Sequence, residues 1–182
     1  MAFIPVCEPM LAGNELKYVT EAVSTGWISS SGKYVTEFEN QFAEYCGRKY
    51  GIAVCNGTIA LHLALIGLGI GKGDEVIVPT FTMIASAFAV CYTGAKPVFV
   101  DADKDTWNID VKKIEEKITS KTKAIMPVHI FGKMCDMDAI HALAKKYNLY
   151  VLEDAAEAHG ASYHGVKAGA SSDIAAFSFF AN

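Results

Sequence analysis

Three things are scarce in this sequence: paired cysteines, surplus positive charge and long apolar runs. Its five cysteines (Cys7, Cys46, Cys55, Cys91, Cys135) are odd in number, scattered, and never in C-x-x-C spacing. That argues against a disulfide framework or a zinc site, and for buried, reduced thiols in a cytosolic protein. Lys and Arg number 16 against 20 Asp and Glu, a net charge of −4, so no basic stripe exists to follow a nucleic-acid backbone. No apolar stretch approaches the roughly 18 residues of a membrane span. The start, MAFIPVCEPM, has no basic n-region and is not expected to be a signal peptide.

What the sequence does hold is apolar: 52% hydrophobic and only 20% charged residues, a balance that suits buried parallel strands. Its 182 residues would make a single domain on length alone. β-branched runs alternate with 3.6-period segments, the pattern of βα units. Strands are expected at 52–55, 75–79, 97–101, 124–129, 149–154 and 174–180. Helices are expected at 15–23, with Leu16, Val19 and Val23 inward, and at 34–46, with Val35, Phe38, Phe42 and Cys46 inward. Others are expected at 58–68, near 82–92, at 110–118 on a stripe of Val111, Ile114 and Ile118, and at 136–147. The helix at 58–68 is apolar nearly all round and is expected to be buried. The whole reads as an α/β fold with an open, mainly parallel sheet, in which ligands sit at the carboxyl ends of strands.

Several segments carry chemistry. GLGIGKG (67–73) follows a helix and precedes a strand, the reverse of a dinucleotide loop, so it reads as a helix stop and turn. NGT (56–58) is in the order strand, glycine turn, helix. Gly57 permits close backbone approach, and the helix start with the Thr58 hydroxyl makes either an ordinary N-cap or a seat for an anion. Asp154 closes an apolar strand at its ligand end. It suits a turn cap, a metal ligand, a general base or the partner of a heterocyclic N–H; His159 and Glu157 nearby have no metal-site spacing. A buried carboxylate against a pyridinium nitrogen would keep that ring an electron sink. Ser178, alone among aromatics in AAFSFFA, is either a core hydroxyl or a second phosphate ligand. His129 and His62 read as packed or supporting histidines, and no Ser/His/Asp or Cys/His triad stands out.

Taken together, GWISSSGKYVTEFE (26–39), CNGTIALHLAL (55–65), GDEVIVPTFTMIAS (73–86), GAKPVFVDAD (94–103), PVHIFGKMCDMDAI (127–140), EDAAEAHGA (153–161) and SDIAAFSFFAN (172–182) resemble the pyridoxal-phosphate-dependent sugar nucleotide aminotransferases of the DegT/DnrJ type. The resemblance runs through the whole chain, in the family's order. It implies aminotransferase fold type I, with residues 1–182 forming the N-terminal part of the large cofactor domain and without the rest of that domain or the small C-terminal domain.

The resemblance also implies roles for the residues. Gly57, Thr58, Ile59 and Ser178 would hold the phosphate of pyridoxal 5'-phosphate, and Asp154 would pair with its pyridine nitrogen. Glu157 would stand beside its phenolic oxygen, and Met83 would take the place where relatives stack an aromatic ring. The Schiff-base lysine is expected immediately after Asn182, so no catalytic residue is expected within the chain and no metal is implied; Lys33, Lys133 and Lys167 are expected in loops elsewhere. Glu157 with NGT and FSFF resembles the perosamine or viosamine branch, which aminates C4 of a nucleotide-linked 4-keto-6-deoxyhexose with glutamate as donor, in polysaccharide and O-antigen biosynthesis. A cytoplasmic homodimer with shared sites is implied. The alternatives are a sugar 3-dehydratase, with His in place of that lysine, and a non-catalytic truncated paralogue.

Overall fold

The protein's structure, a computed structural model, describes residues 8–179. Three helices come first: α1 (Glu15–Ser24), α2 (Lys33–Tyr45) and α3 (Gly57–Gly67). Strand β1 (Glu75–Pro79), helix α4 (Ile84–Tyr92) and strand β2 (Lys96–Val100) follow, then β3 (Thr122–Ile125), α5 (Met137–Tyr147) and β4 (Tyr150–Asp154). A two-stranded antiparallel pair, β5 (Ser162–Tyr163) and β6 (Val166–Lys167), precedes β7 (Ile174–Ala176). The main sheet has the order β2-β1-β3-β4-β7 and every pairing in it is parallel. This is the α/β fold read from the sequence.

The period-2 alternation of the strands assigns the two faces. Val76, Val78, Ala124, Met126, Leu152 and Ala176 point to one face, where Leu61 and Leu65 of α3 and Ala89 and Val90 of α4 cover them. Ile77, Ile125 and Val151 point to the other, beneath Ile140 and Ala144 of α5 and Ile109 and Ile114 of the connection before β3. Both layers are almost fully closed to solvent, which is why these strands carry unbroken apolar runs. GLGIGKG ends α3 as expected: Gly69 has φ +74° and its N–H donates to the Ile66 carbonyl, a turn that feeds β1.

Several expectations are corrected. Residues 52–55 form no strand, and Ile52 is largely exposed. Residues 110–118 form two 3-10 turns, Val111–Lys113 and Glu115–Lys117, because an i, i+3 apolar spacing serves that tighter winding equally well. Helix α1 has the expected period, but Leu16, Val19 and Val23 face outward. Helix α3 is buried on one side only; Ile59, Leu63 and Ile66 are exposed. Strand β7 stops at Ala176, and residues 180–182 lie outside the described residues. Cys46 and Cys135 are buried, whereas Cys55 and Cys91 are exposed; Cys7 lies outside the described residues. Lys33 opens α2 and Lys167 lies in β6, not in loops.

Candidate active site

The segment after β7 meets the N-terminus of α3 at Gly57, β7 pairs with the carboxyl end of β4, and the segment after β1 reaches Asp154 through Ser86; the candidate residues lie at these chain ends. Asp154 is the last residue of β4 and 4% exposed. By alternation its side chain points to the α3/α4 face, where Oδ2 accepts the Ser86 hydroxyl at 2.7 Å. Ser86, fully buried in α4, in turn stands 2.7 Å from the Thr82 hydroxyl. With Ser86 donating to Asp154, Thr82 is left as donor to Ser86, a one-way relay from the loop after β1 to the carboxylate. The other oxygen, Oδ1, accepts the Ala156 N–H at 3.3 Å. Burial pushes the Asp154 carboxyl up from its ordinary range, against the opposing bond from Ser86. A cation or a protonated heterocycle placed against it would reverse that shift.

The candidate anion seat is built by α3 and the segment after β7. Asn56 caps the helix: its Oδ1 accepts the Ile59 N–H at 3.0 Å. The Ile59 N–H is therefore already engaged. Among the described residues, nothing accepts from the N–H groups of Gly57 and Thr58, which are oriented by the helix start. Ser178 approaches this turn so closely that a Cβ on Gly57 would lie 2.8 Å from Ser178 Cβ and 3.1 Å from its Oγ. Register links the seat to the carboxylate, since Asp154 pairs with Ala176 and Ser178 follows two residues later.

Glu157 and Met83 are exposed at the same edge. Met83 stands at the N-cap position of α4, while Phe81 packs its ring 5.3 Å from that of Trp107. Glu157 Oε2 accepts the Phe131 N–H at 2.6 Å, holding a residue with φ +49° in the turn after β3.

Behind Asp154, on the α5 face, lies a second buried carboxylate. The Cys135 N–H donates to His129 Nδ1 at 3.2 Å, so the ring proton is on Nε2, which donates to Glu153 Oε2 at 2.9 Å. Gly169 N–H donates to the same oxygen at 2.8 Å. Burial pushes the Glu153 carboxyl up, but the bonds led by His129 and Gly169 outweigh it and hold it below its ordinary range. His129 thus supports the site from the core, as its sequence setting suggested, and His62 packs edge-on to Tyr92. Sequence reasoning missed Thr82, Ser86 and Glu153. The only signal was a Thr and a Ser four residues apart at a helix start, which also marks an ordinary cap.

The arrangement suits a phosphorylated heterocycle. The cradle that a Cβ at position 57 would fill, two helix-start N–H groups and two hydroxyls could receive an anion, and among the described residues no salt bridge engages the buried Asp154 carboxylate, which could take a ring N–H.

Comparison with known proteins agrees. The family described as "DegT/DnrJ/EryC1/StrS aminotransferase family" matches residues 9–182. A protein named GDP-perosamine synthase, from Caulobacter vibrioides, is 58% identical over 179 residues, 98% of this chain and 48% of the relative. The X-ray structure of the aminotransferase from Psychrobacter cryohalolentis superposes with a TM-score of 0.93 at 45% identity, covering 99% of this chain and 45% of that one. The Streptomyces venezuelae DesV structure, in complex with a ketimine intermediate, has a TM-score of 0.88 at 44% identity, covering 99% of this chain and 50% of that one. The chain spans about half the length of the curated relatives it matches.

Proposed function

This chain belongs to the DegT/DnrJ/EryC1/StrS aminotransferase family, and from that premise we propose that the whole protein is a pyridoxal-phosphate-dependent sugar nucleotide aminotransferase. Its substrates are a nucleotide-linked 4-keto-6-deoxyhexose and glutamate, and it aminates C4. The observation that carries this reading is the pairing of Asp154 with the Ser178–Gly57 seat across neighbouring strands. The 58% identity to a GDP-perosamine synthase supports the choice of sugar. Residues 1–182 are the N-terminal part of the large domain, and the covalent lysine is expected directly after Asn182. A cytoplasmic homodimer serving polysaccharide or O-antigen synthesis completes the reading.

When bound, the cofactor supplies the amine carrier and the electron sink of transamination. The residues of this chain hold and orient it. Gly57 and Thr58 donate backbone N–H groups to the phosphate, and the hydroxyls of Thr58 and Ser178 add to them. Ile59 contributes through the helix turn it caps with Asn56, since its own N–H is engaged. Asp154 would accept the ring N–H, its carboxylate plane held by the Thr82–Ser86 relay on Oδ2 and the Ala156 N–H on Oδ1. Met83 offers a thioether to the ring face. Glu157 stands by the phenolic oxygen while one of its own oxygens steadies Phe131.

The test is to supply the full-length protein with glutamate and GDP- or dTDP-linked 4-keto-6-deoxyhexose, and to identify products by mass spectrometry. A 4-amino sugar with stoichiometric 2-oxoglutarate is expected. Loss of the 3-hydroxyl without nitrogen gain would identify a dehydratase instead, and no turnover with either nucleotide would refute the reading.

A further inference from the structure

Ser178 is flanked by two aromatic residues whose rings are gripped by a helix distant in sequence. Phe177 and Phe179 both turn to Phe42, while Ser178 between them stands against Gly57. The ring of Phe42, on α2, meets Phe177 edge-on at 4.9 Å and Phe179 edge-on at 5.1 Å. Phe38, one helical turn earlier, stacks on Phe42 at 5.7 Å and meets Phe179 at 5.0 Å. The His159 ring closes the cluster at 5.5 Å from Phe177 and 4.8 Å from Phe179.

The same helix region holds the other end of this segment. Arg48, just past α2, donates to the carbonyls of Ala170 (3.2 Å), Ser172 (2.8 Å) and Asp173 (2.6 Å), immediately before β7. The segment that carries Ser178 is thus fixed at both ends from α2, while its pairing with β4 stops at Ala176. A seryl hydroxyl beyond the last strand residue has no ladder to orient it. The aromatic grip takes that place: Phe42 and His159 each touch both rings that bracket the serine, and of the two Phe42 is the one anchored in a helix.

We propose that Phe42 is a positioning residue for the cofactor phosphate, holding Ser178 against the Gly57 turn through Phe177 and Phe179. This rests on the cofactor reading above. Phe42 touches no reacting group, so its contribution is to affinity for the phosphate-bearing cofactor and not to the chemical step. Edge-to-face pairs of this kind are individually modest, and two of them acting on one short segment set the size of the effect.

The experiment uses the full-length protein stripped of cofactor, and reads pyridoxal-phosphate dissociation constants by fluorescence quenching, with phosphorus NMR of the bound phosphate as a second readout. Phe42→Ala is expected to weaken binding about tenfold, Ser178→Ala by a similar factor, and the double variant no more than Ser178→Ala alone, because one residue acts through the other. The phosphorus signal should shift in Phe42→Ala and not shift further in the double variant. Turnover at saturating cofactor should stay within about twofold of wild type. Should Phe42→Ala fail to fold, Phe42→Leu, which keeps bulk but loses the edge-on geometry, decides on the same readouts. Unchanged affinity in a folded Phe42 variant, with or without a lower melting temperature, overturns the proposal. So does a double variant whose losses multiply to about a hundredfold. A wild-type protein that does not bind pyridoxal phosphate overturns both this inference and the cofactor reading.

Discussion

Burial raises the proton affinity of Asp154, and that gives its replacement two opposite expected effects. A folded-state pKa above the unfolded value of about 3.9 means that the associated stability is fully present below that value and lost as pH rises through the folded value. At neutral pH the cofactor-free protein has therefore lost part or all of that contribution. Asp154→Asn should leave the apo melting temperature at pH 7 equal to or above wild type, with the difference closing near pH 4, while turnover falls at least about a hundredfold. Melts across that pH range and steady-state rates check both halves; unchanged turnover would remove Asp154 from its role. Gly57 gives the complementary case. Alanine is the better helix former by roughly 1 kcal/mol, yet its Cβ would lie 2.8 Å from Ser178 Cβ. Gly57→Ala should fold normally and bind pyridoxal phosphate about tenfold more weakly or worse, by equilibrium titration. Both residues were legible in the sequence, one as a carboxylate closing an apolar strand and one as a glycine in a strand-turn-helix order. Ser86 was not, because its partner Asp154 lies 68 positions away and only the fold joins them.

Among the elements, the turn after β3 carries the clearest local conflict. Phe131 adopts φ +49° and ψ 34° and is 77% exposed, a left-handed conformation that costs a side-chain-bearing residue roughly 1–2 kcal/mol. The Glu157 carboxylate on its N–H, the Asn108 Oδ1 on the Ile130 N–H at 3.3 Å and the buried His129 hold the turn in that state. With so little of the residue buried, Phe131→Gly should raise stability by about 1 kcal/mol in urea unfolding; a loss of that size would mean that the ring packs on something. The sequence showed PVHIFG as a segment with a supporting histidine but could not show the strain, since nothing in residue type distinguishes a left-handed Phe from an extended one. The same limit explains the other departures. Strands β1, β3 and β4 were legible because most of their residues are buried and each holds an apolar run, and the edge strand β2, with Lys96 and Phe99 exposed, because of its run Val98–Val100. Residues 52–55 have an equally apolar run, but without a hydrogen-bonding neighbour it forms no strand. Residues 110–118 have a stripe whose spacing fits two windings, and Asp110, whose side chain accepts the Lys112 N–H, starts the tighter one.

At the scale of the whole molecule, the outstanding question is what covers its apolar outer face. Helices α3 and α4 pack side by side on the sheet, and each carries a second stripe pointing away from it: Ile59, Leu63 and Ile66 on one, Ile84, Phe88 and Tyr92 on the other. The near-uniform apolarity that predicts a buried α3 is a composition that a helix needs whether it is enclosed by its own chain or by another. Six exposed large side chains at helical spacing on adjacent elements are more than the scattered apolar residues of ordinary surfaces. Under the homodimer reading this face is a subunit contact, and the anion seat at the N-terminus of α3 stands at its border, so that assembly and cofactor site share one helix. Leu63→Glu, a half-exposed position away from Gly57 and Thr58, should then convert the full-length protein from dimer to monomer in analytical ultracentrifugation. Activity should fall at least tenfold, because a buried unpaired charge at the centre of such a contact costs several kcal/mol. A wild-type protein that sediments as a stable, active monomer would refute the dimer. A Leu63→Glu dimer with full activity would move the contact off this face.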